Sequence, residues 1–406
     1  MGVEKMTHNA KGRHYAESER RGEPSKAPQY LPAFLFVGFI FAMAIWFIAG
    51  PKLSYSASEK RYLQKFPDAS FEHVKDGTFG KEFETFFADQ FPARNMWVGV
   101  NAYSILAEGN NGANGVYKCK DGYLINKPVS KDNGIMKNIG AIEEFHSLDA
   151  VKNVPATVML APSTGYVCED VLPAIHDKYN DDEYFESVKK SLAQNGIGFT
   201  DLRETFKSAY KNGSQLYYKT DHHWNTRGAY TAYRQLCQTL GLKAAEESLF
   251  VKEPTEGFYG TTYSSSGFWL TEPDTLEVWN NTRNTDKNIH VKITEGSGSQ
   301  EYGSMFFPKH LKEDDKYPVF IDGNHALTEI KNTNAERGTL VVIKDSFSHC
   351  MAPFLAENYK KVVLVDLRYY KMENVSALVQ REKPEQLLVL YGIDNLATDT
   401  DLVWLQ

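Results

Sequence analysis

The run Leu31–Gly50, LPAFLFVGFIFAMAIWFIAG, holds twenty residues without a charge. A helix of that length rises about 30 Å, the thickness of a bilayer's hydrocarbon core. Tyr30 and Trp46 lie toward its two ends, where interfacial aromatics concentrate. The run is longer than the roughly 7–15-residue apolar region of a cleaved signal and begins behind a polar tail, so we read 31–50 as one membrane-spanning helix. The mixed-charge tail Met1–Lys26 reads as disordered, and residues 1–30 precede the membrane. Cations close to the span favour the cytoplasmic side, although Lys52, Lys60, Arg61 and Lys65 follow it and weaken the contrast. The expectation is a single-pass cell-membrane protein with a cytoplasmic N-terminus and an extracytoplasmic body.

Beyond the span, the 406-residue chain is globular in composition, with 42% hydrophobic, 13% aromatic and 24% charged residues. These values exclude a disordered chain and a polytopic membrane protein. A net charge of -7 with a pI near 5.9 removes any overall basic footprint for nucleic acid. Cys119, Cys168, Cys237 and Cys350 would sit where disulfides are permitted, with three possible pairings. No pair has metal-site spacing, and all four suit ordinary buried positions.

Local pattern then divides the body. Residues 51–110 read as a helical stem, with Phe83, Phe86 and Phe87 on one helical face and a turn at FPARN. Val116–Ile125 reads as a hairpin with Asp121-Gly122 at its tip. Short apolar runs at Thr157–Ala161, Thr339–Ile343, Val362–Val365 and Leu387–Tyr391, with a further candidate near Phe199, read as strands separated by helix-length stretches. Such alternation predicts a mostly parallel sheet covered on both faces, an α/β fold occupying 111–406. Residues 245–310, rich in Ser, Thr, Asn and Gly, read as an irregular or β-rich insertion.

Two segments carry chemistry. Lys219-Thr220-Asp221-His222-His223-Trp224 follows the apolar run Leu216-Tyr217-Tyr218 and precedes a helix that Asn225 caps and Gly241 ends. On an extended chain Asp221 and His223 share a face, and His222 takes the other. A carboxylate directed at an imidazole fixes its tautomer, which makes His223 the better general base and His222 the better structural residue. Lys344-Asp345-Ser346-Phe347-Ser348-His349 follows the strand Thr339–Ile343. A serine between strand and helix is exposed at a sheet edge, beside backbone N–H groups that suit a developing oxyanion. Asp345 and Ser346 could equally do no more than cap the helix, which Pro353 should kink or delay. Asp, His and Ser together are the parts of an acyl-transfer triad.

TDHHW at Asp221, KDSF at Ser346 and VDLRYY at 365–370 resemble the bacterial cell-surface DHHW proteins, relatives of the SGNH-hydrolase-like acetyltransferases that O-acetylate alginate. FADQFPARN at 87–95, KDGYLI at 120–125 and FYGTTYSSSG at 258–267 extend the resemblance from about residue 55 to the end. It implies an SGNH-hydrolase-like three-layer fold and a catalytic set of Ser346, His223 and Asp221. It further implies an acetyl group passing through an acyl-enzyme to a cell-surface polysaccharide, with a membrane-bound O-acyltransferase as donor and no cofactor or metal. Lys344 replaces the Gly that usually precedes the Asp-Ser pair in SGNH enzymes, and the Ser block follows the Asp-His block as it does in the alginate relatives. YGIDN at 391–395 loosely matches the Gly-x-Asn-Asp block, which makes Asn395 a candidate oxyanion donor. Arg368 could meet an oxyanion or a sugar acid, or form a surface salt bridge, and Tyr263 could line a glycan groove or sit in a plain hairpin.

Other readings use the same residues. Asp221 with His222 and His223 could bind a metal, although adjacent histidines point apart on an extended chain. His349 lies three residues after Ser346 and could replace His223 as base. A carbohydrate O-acetylesterase would use the same triad with water as acceptor, and a non-catalytic glycan-binding or assembly module would leave it inert.

Overall fold

The computed structural model describes residues 27–130 and 133–405. The expectation of a disordered tail over Met1–Lys26 falls outside them. The chain divides into two units, one formed by residues 27–52 with Gln90–Pro92 and the other by Leu53–Asp89 and the chain from Ala93 onward. In the first, a helix spans Ala27–Ala49, and its stretch Tyr30–Ala49 has a mean hydropathy of 2.4. Phe34, Leu35, Phe41 and Ile48 are exposed along it, so it is long and apolar enough to cross a membrane.

The second unit is a mixed α/β structure on an eight-stranded sheet, whose strands we number along the chain: β1 Ala156–Ala161, β2 Gly198–Asp201, β3 Ile289–Glu295, β4 Gly298–Tyr302, β5 Leu327–Asn332, β6 Arg337–Lys344, β7 Tyr359–Val365 and β8 Gln386–Gly392. Their spatial order is β4-β3-β5-β7-β6-β8-β1-β2. The pairings from β7 to β2 are parallel, and those joining β4, β3, β5 and β7 are antiparallel. The sheet is therefore mixed. Its antiparallel half includes β3 and β4, which come from the segment read as an insertion. That segment also forms a separate two-stranded ribbon, Phe250–Phe258 with Asp274–Asn281.

The apolar runs form central strands because both of their faces are buried. Leu340 and Val342 of β6, with Leu388 and Leu390 of β8, point into one core, which Tyr230, Leu236, Met351 and Phe354 of two helices complete. Val341, Ile343, Leu387 and Val389 point into the other, against Ile139, Phe185 and Leu378. Period-two alternation thus serves two apolar layers at once. Each fully buried aliphatic side chain stabilises the fold by about 1.5–3 kcal/mol relative to exposure.

The stem contains two short strands as well as helices at Phe71–Lys75, Thr78–Asp89 and Arg94–Ala107. Val116–Lys118 pairs antiparallel with Leu124–Asn126, and Asp121 and Gly122 both have positive φ at the turn between them. All four cysteines are free thiols. The parallel strands end along one edge, where β6 leads into Ser346, β8 into Asn395, β7 into Asp366 and β1 into Ser163. This is the edge at which open α/β sheets place their ligands.

Candidate active site

The segment Gln215–Asn225 is not a strand-to-helix loop of the large sheet. Only Tyr217 and Trp224 pair, so Lys219–His223 forms the tip of a small hairpin. The Asp274 carboxylate accepts from the backbone N–H groups of Lys219 (2.9 Å) and Thr220 (2.8 Å) and from the Thr220 hydroxyl (2.6 Å). The tip is therefore held by the ribbon of the insertion. Asn225 caps the following helix Thr226–Leu240 by accepting from Gly228 N, and Gly241 closes it at φ 66°.

At this tip Asp221 Oδ1 accepts from the His223 backbone N–H (2.8 Å), a local turn in place of the extended chain assumed above. The same oxygen lies 2.5 Å from His223 Nδ1, and His223 Nε2 lies 2.6 Å from Ser346 Oγ. A carboxylate can only accept, so His223 carries its proton on Nδ1 and presents Nε2 as acceptor to the serine hydroxyl. The other oxygen, Asp221 Oδ2, accepts from the Thr261 backbone N–H (2.7 Å) and hydroxyl (3.2 Å). Burial alone would raise the Asp221 carboxyl, but the His223 and His222 imidazoles and the His223 hydrogen bond hold it well below the usual carboxylate range.

Tyr317 fixes the imidazole from its face, with ring centroids 4.4 Å apart and planes 9° from parallel, and its hydroxyl donates to the Ser346 carbonyl (3.2 Å). Phe347 meets the same imidazole edge-on. Trp224 Nε1 donates to the Phe347 carbonyl (2.9 Å), which ties the hairpin to the serine loop. The Asp345 carboxylate accepts from Phe347 N (2.9 Å), Gly392 N (2.8 Å) and Asn395 Nδ2 (2.7 Å). The helix then runs Ser348–Asn358 with Pro353 inside it.

The structure thus gathers Asp221, His223 and Ser346 into one hydrogen-bonded chain. It places Asn395 behind them, with its amide on Asp345. Arg368 clasps Asp366 (2.8 and 2.6 Å) and reaches Asn324 (2.9 Å). Tyr263 packs on Tyr259 and Trp269. His349 is buried, and its Nε2 accepts from Lys344 Nζ (2.9 Å), which also donates to Asp366 (2.8 Å). The serine hydroxyl is therefore addressed by His223, and His349 belongs to a separate buried network. Asp221, His222 and His223 each place a donor atom within 4.8 Å of one another, but both ring nitrogens of His223 are engaged by Asp221 and Ser346.

The sequence reading missed Thr261, Tyr317 and Asp274. Only Thr261 carried a signal, lying two residues from Tyr263 in FYGTTYSSSG. Gly260 in that segment leaves no room for a side chain, since a Cβ there would overlap the Asp221 side chain and lie 2.6 Å from its Cα. Gly260→Ala is expected to displace the Asp221 carboxylate and lower turnover of an activated ester by about a hundredfold, the scale of a 1 Å misplacement. Initial rates against the parent check this.

The arrangement of the TDHHW hairpin against the DSF loop is now defined. Residues 187–365 match the family model described as DHHW protein. A DHHW family protein from Eubacterium siraeum superimposes with a TM-score of 0.61 at 20% identity, covering 72% of this chain and 95% of that one. Bacillus cereus PatB1, solved with a sulfonyl adduct, gives 0.58 at 21% identity, covering 71% and 97%. Among curated proteins, the probable alginate O-acetylase AlgJ of Pseudomonas fluorescens is 23% identical over 192 residues, 44% of this chain and 48% of that protein. The chain spans about half the length of the curated relatives it matches. The DHHW hairpin and the DSF loop both lie within the matched residues.

A pair of carboxyl groups, Asp181 and Asp394, adjoins this edge at Ser163. The Ser163 backbone N–H donates to Asp181 Oδ1 (2.7 Å), and its hydroxyl donates to Asp394 Oδ1 (3.0 Å). Burial, then the neighbouring Asp394, raises Asp181 to about 7, and burial raises Asp394 to about 6. Between about pH 4, where unfolded carboxyls release their protons, and pH 7, the native state binds more protons than the unfolded chain. The pair's contribution is therefore complete below that window and is lost as pH rises through it. Asp394→Asn is expected to flatten this loss, read as the parent-minus-variant difference in urea midpoints at pH 5 and pH 8.

Proposed function

We propose that this protein is a membrane-anchored, extracytoplasmic O-acetyltransferase acting on a cell-surface or exported polysaccharide. The observation that carries the reading is the chain Asp221–His223–Ser346, with links of 2.5 and 2.6 Å. In the proposed reaction Ser346 Oγ attacks the carbonyl carbon of an acetyl donor while its proton passes to His223 Nε2. The tetrahedral oxyanion collapses, the leaving group takes that proton, and acetyl remains on Ser346. A sugar hydroxyl then repeats the sequence, giving its proton to His223 as it attacks, and Ser346 leaves by recovering that proton. The Ser346 backbone N–H, which makes no hydrogen bond among the described residues, suits the oxyanion.

Asn395 and Arg368 enter this reading as supports of the edge, through Asp345 and Asp366. Tyr263 lies next to Thr262 and Thr261, and Thr261 lines a cavity of about 690 Å³ that also receives Lys60, Arg94, Trp97 and Asn101. Cations, amides and an aromatic face suit a saccharide. The curated AlgJ relatives, named as probable alginate O-acetylases, favour a polysaccharide acceptor. The apolar helix Ala27–Ala49 serves as anchor with the N-terminus cytoplasmic, and a membrane-bound O-acyltransferase would bring acetyl across the bilayer.

The test is acetate release from p-nitrophenyl acetate by the detergent-solubilised full chain, with and without added oligosaccharide. Release that depends on Ser346, with acetyl recovered on the sugar, supports transfer. Release to water alone makes the protein an esterase. No Ser346-dependent release leaves a non-catalytic glycan-binding module.

A further inference from the structure

His222, placed by its sequence position among structural residues, occupies the open side of the hydrogen-bonded chain. Its ring centroid lies 3.8 Å from that of His223 and 5.9 Å from that of Phe347. Its side chain remains 24% exposed, against 5% for His223. Nδ1 lies 2.6 Å from Thr261 Oγ1. Thr261 has a single hydroxyl proton, and Asp221 Oδ2 at 3.2 Å can only accept it. Donation to the carboxylate leaves the hydroxyl as acceptor for His222, and Asp221 Oδ1, 3.6 Å from His222 Nδ1, favours the ring proton on that nitrogen. That assignment makes Nε2 a lone-pair acceptor, and Nε2 has no partner among the described residues. Desolvation of the ring, then His223, with Arg368 and Lys60 adding to it, pushes the His222 imidazole down to about 3 despite Asp221. The ring accordingly stays neutral at physiological pH.

We propose that His222 is an acceptor-binding residue: its Nε2 takes a hydrogen bond from a hydroxyl of the incoming saccharide, vicinal to the hydroxyl that attacks the acyl group on Ser346. The inference rests on the reading of Ser346 as the acyl-carrying nucleophile. The two imidazoles lie side by side, centroids 3.8 Å apart with planes tilted by 39°, so vicinal hydroxyls on one sugar ring can address both. The attacking hydroxyl gives its proton to His223 Nε2 as its oxygen bonds to the carbonyl carbon, and the bond from that carbon to Ser346 Oγ then breaks as Oγ regains the proton. The neighbouring hydroxyl keeps its proton and donates it to His222 only as a hydrogen bond. Water has no second hydroxyl to offer at that spacing. His222 thereby favours sugar over water at the acyl-enzyme, which is the step that separates a transferase from an esterase.

Two substitutions divide the two nitrogens of the ring. His222→Asn puts an amide N–H near the Nδ1 position, retaining a donor to Thr261 while removing the outer acceptor. His222→Gln extends an amide oxygen to the Nε2 position. The readout is the partition of acetyl from p-nitrophenyl acetate between sugar and water, with cello-oligosaccharides and uronate oligosaccharides supplied separately to the full chain. Because both products come from one acyl-enzyme, losses of folding or acylation cancel in the ratio. His222→Asn is expected to lower the sugar-to-water ratio about tenfold, the scale of one hydrogen bond lost in the transition state, while His222→Gln keeps it within about threefold. An unchanged ratio in His222→Asn, an equal fall in both variants, or no transfer to either oligosaccharide by the parent overturns the proposal. Failure of the nucleophile reading looks different, because acetate release would then survive Ser346→Ala.

Discussion

Ser346→Ala is expected to lower acetate release from p-nitrophenyl acetate by a factor on the order of 10⁴ or more, with the fold intact. The serine is only 9% exposed, and its Oγ makes its hydrogen bond to His223, so removing the hydroxyl takes away the group that would carry the acyl chain without opening the core. His223→Ala is expected to fall by a similar factor, because a hydroxyl with no base beside it is a poor nucleophile at neutral pH. The double variant should be little worse than either single one, since groups acting as a unit are lost as a unit. A sulfonyl fluoride gives an independent reading of the same group. It should modify Ser346 in the parent and label His223→Ala far more slowly, as followed by peptide mass. Retention of more than a tenth of the parent rate in Ser346→Ala would remove Ser346 from the chemistry.

The parts of this site differ in how far they could be read from sequence, and the difference is physical. Strands such as Leu340–Ile343 and Leu387–Tyr391 were legible because a strand buried on both faces needs an unbroken apolar run, and few other local structures do. Asp221, His223 and Ser346 were legible by residue type. Their geometry was not, because the loop conformation depends on contacts that are distant in the chain. Asp221 is turned by a bond to the His223 backbone and by Thr261, forty residues on, so the extended alternation assumed for the hairpin tip did not apply. Tyr317 lies in a stretch without periodicity, and nothing local distinguishes its ring from any other tyrosine. Asn395 illustrates the reverse case. Its place in YGIDN suggested a donor to an oxyanion, but a buried carboxylate one strand away claims its amide. The segment 245–310 read from its composition as an irregular or β-rich insertion. It contributes two strands to the sheet, the Asp274 carboxylate that accepts from the hairpin's backbone, and the Thr261 N–H that reaches Asp221 because Gly260 beside it lets the chain approach closely.

Asp345 carries the largest expected stability effect. The sequence offered Asp345 as a helix cap, and its carboxylate instead joins two loops at the sheet edge. One oxygen accepts from Phe347 N, two residues on, which turns the chain after β6. The other accepts from Gly392 N and Asn395 Nδ2, which binds that turn to the end of β8. The two backbone donors are buried with the carboxyl and Asn395 is half-buried; burial raises the carboxyl's pKa even though these hydrogen bonds oppose the shift. Asp345→Ala would leave two buried backbone donors and the half-buried Asn395 amide without their partner, at about 1–3 kcal/mol for each enclosed donor and less than additively. The expected loss is about 3–5 kcal/mol, read as a lower urea midpoint at unchanged slope. Asp345→Asn should fall between the parent and Ala, because one amide oxygen can still accept while the NH₂ group opposes the donors facing it. The same loop sets the Ser346 backbone N–H, so turnover should fall in both variants even where the protein remains folded. A midpoint for Asp345→Ala within about 1 kcal/mol of the parent would mean that the three donors find water, and that the edge of the sheet is open where the structure encloses it.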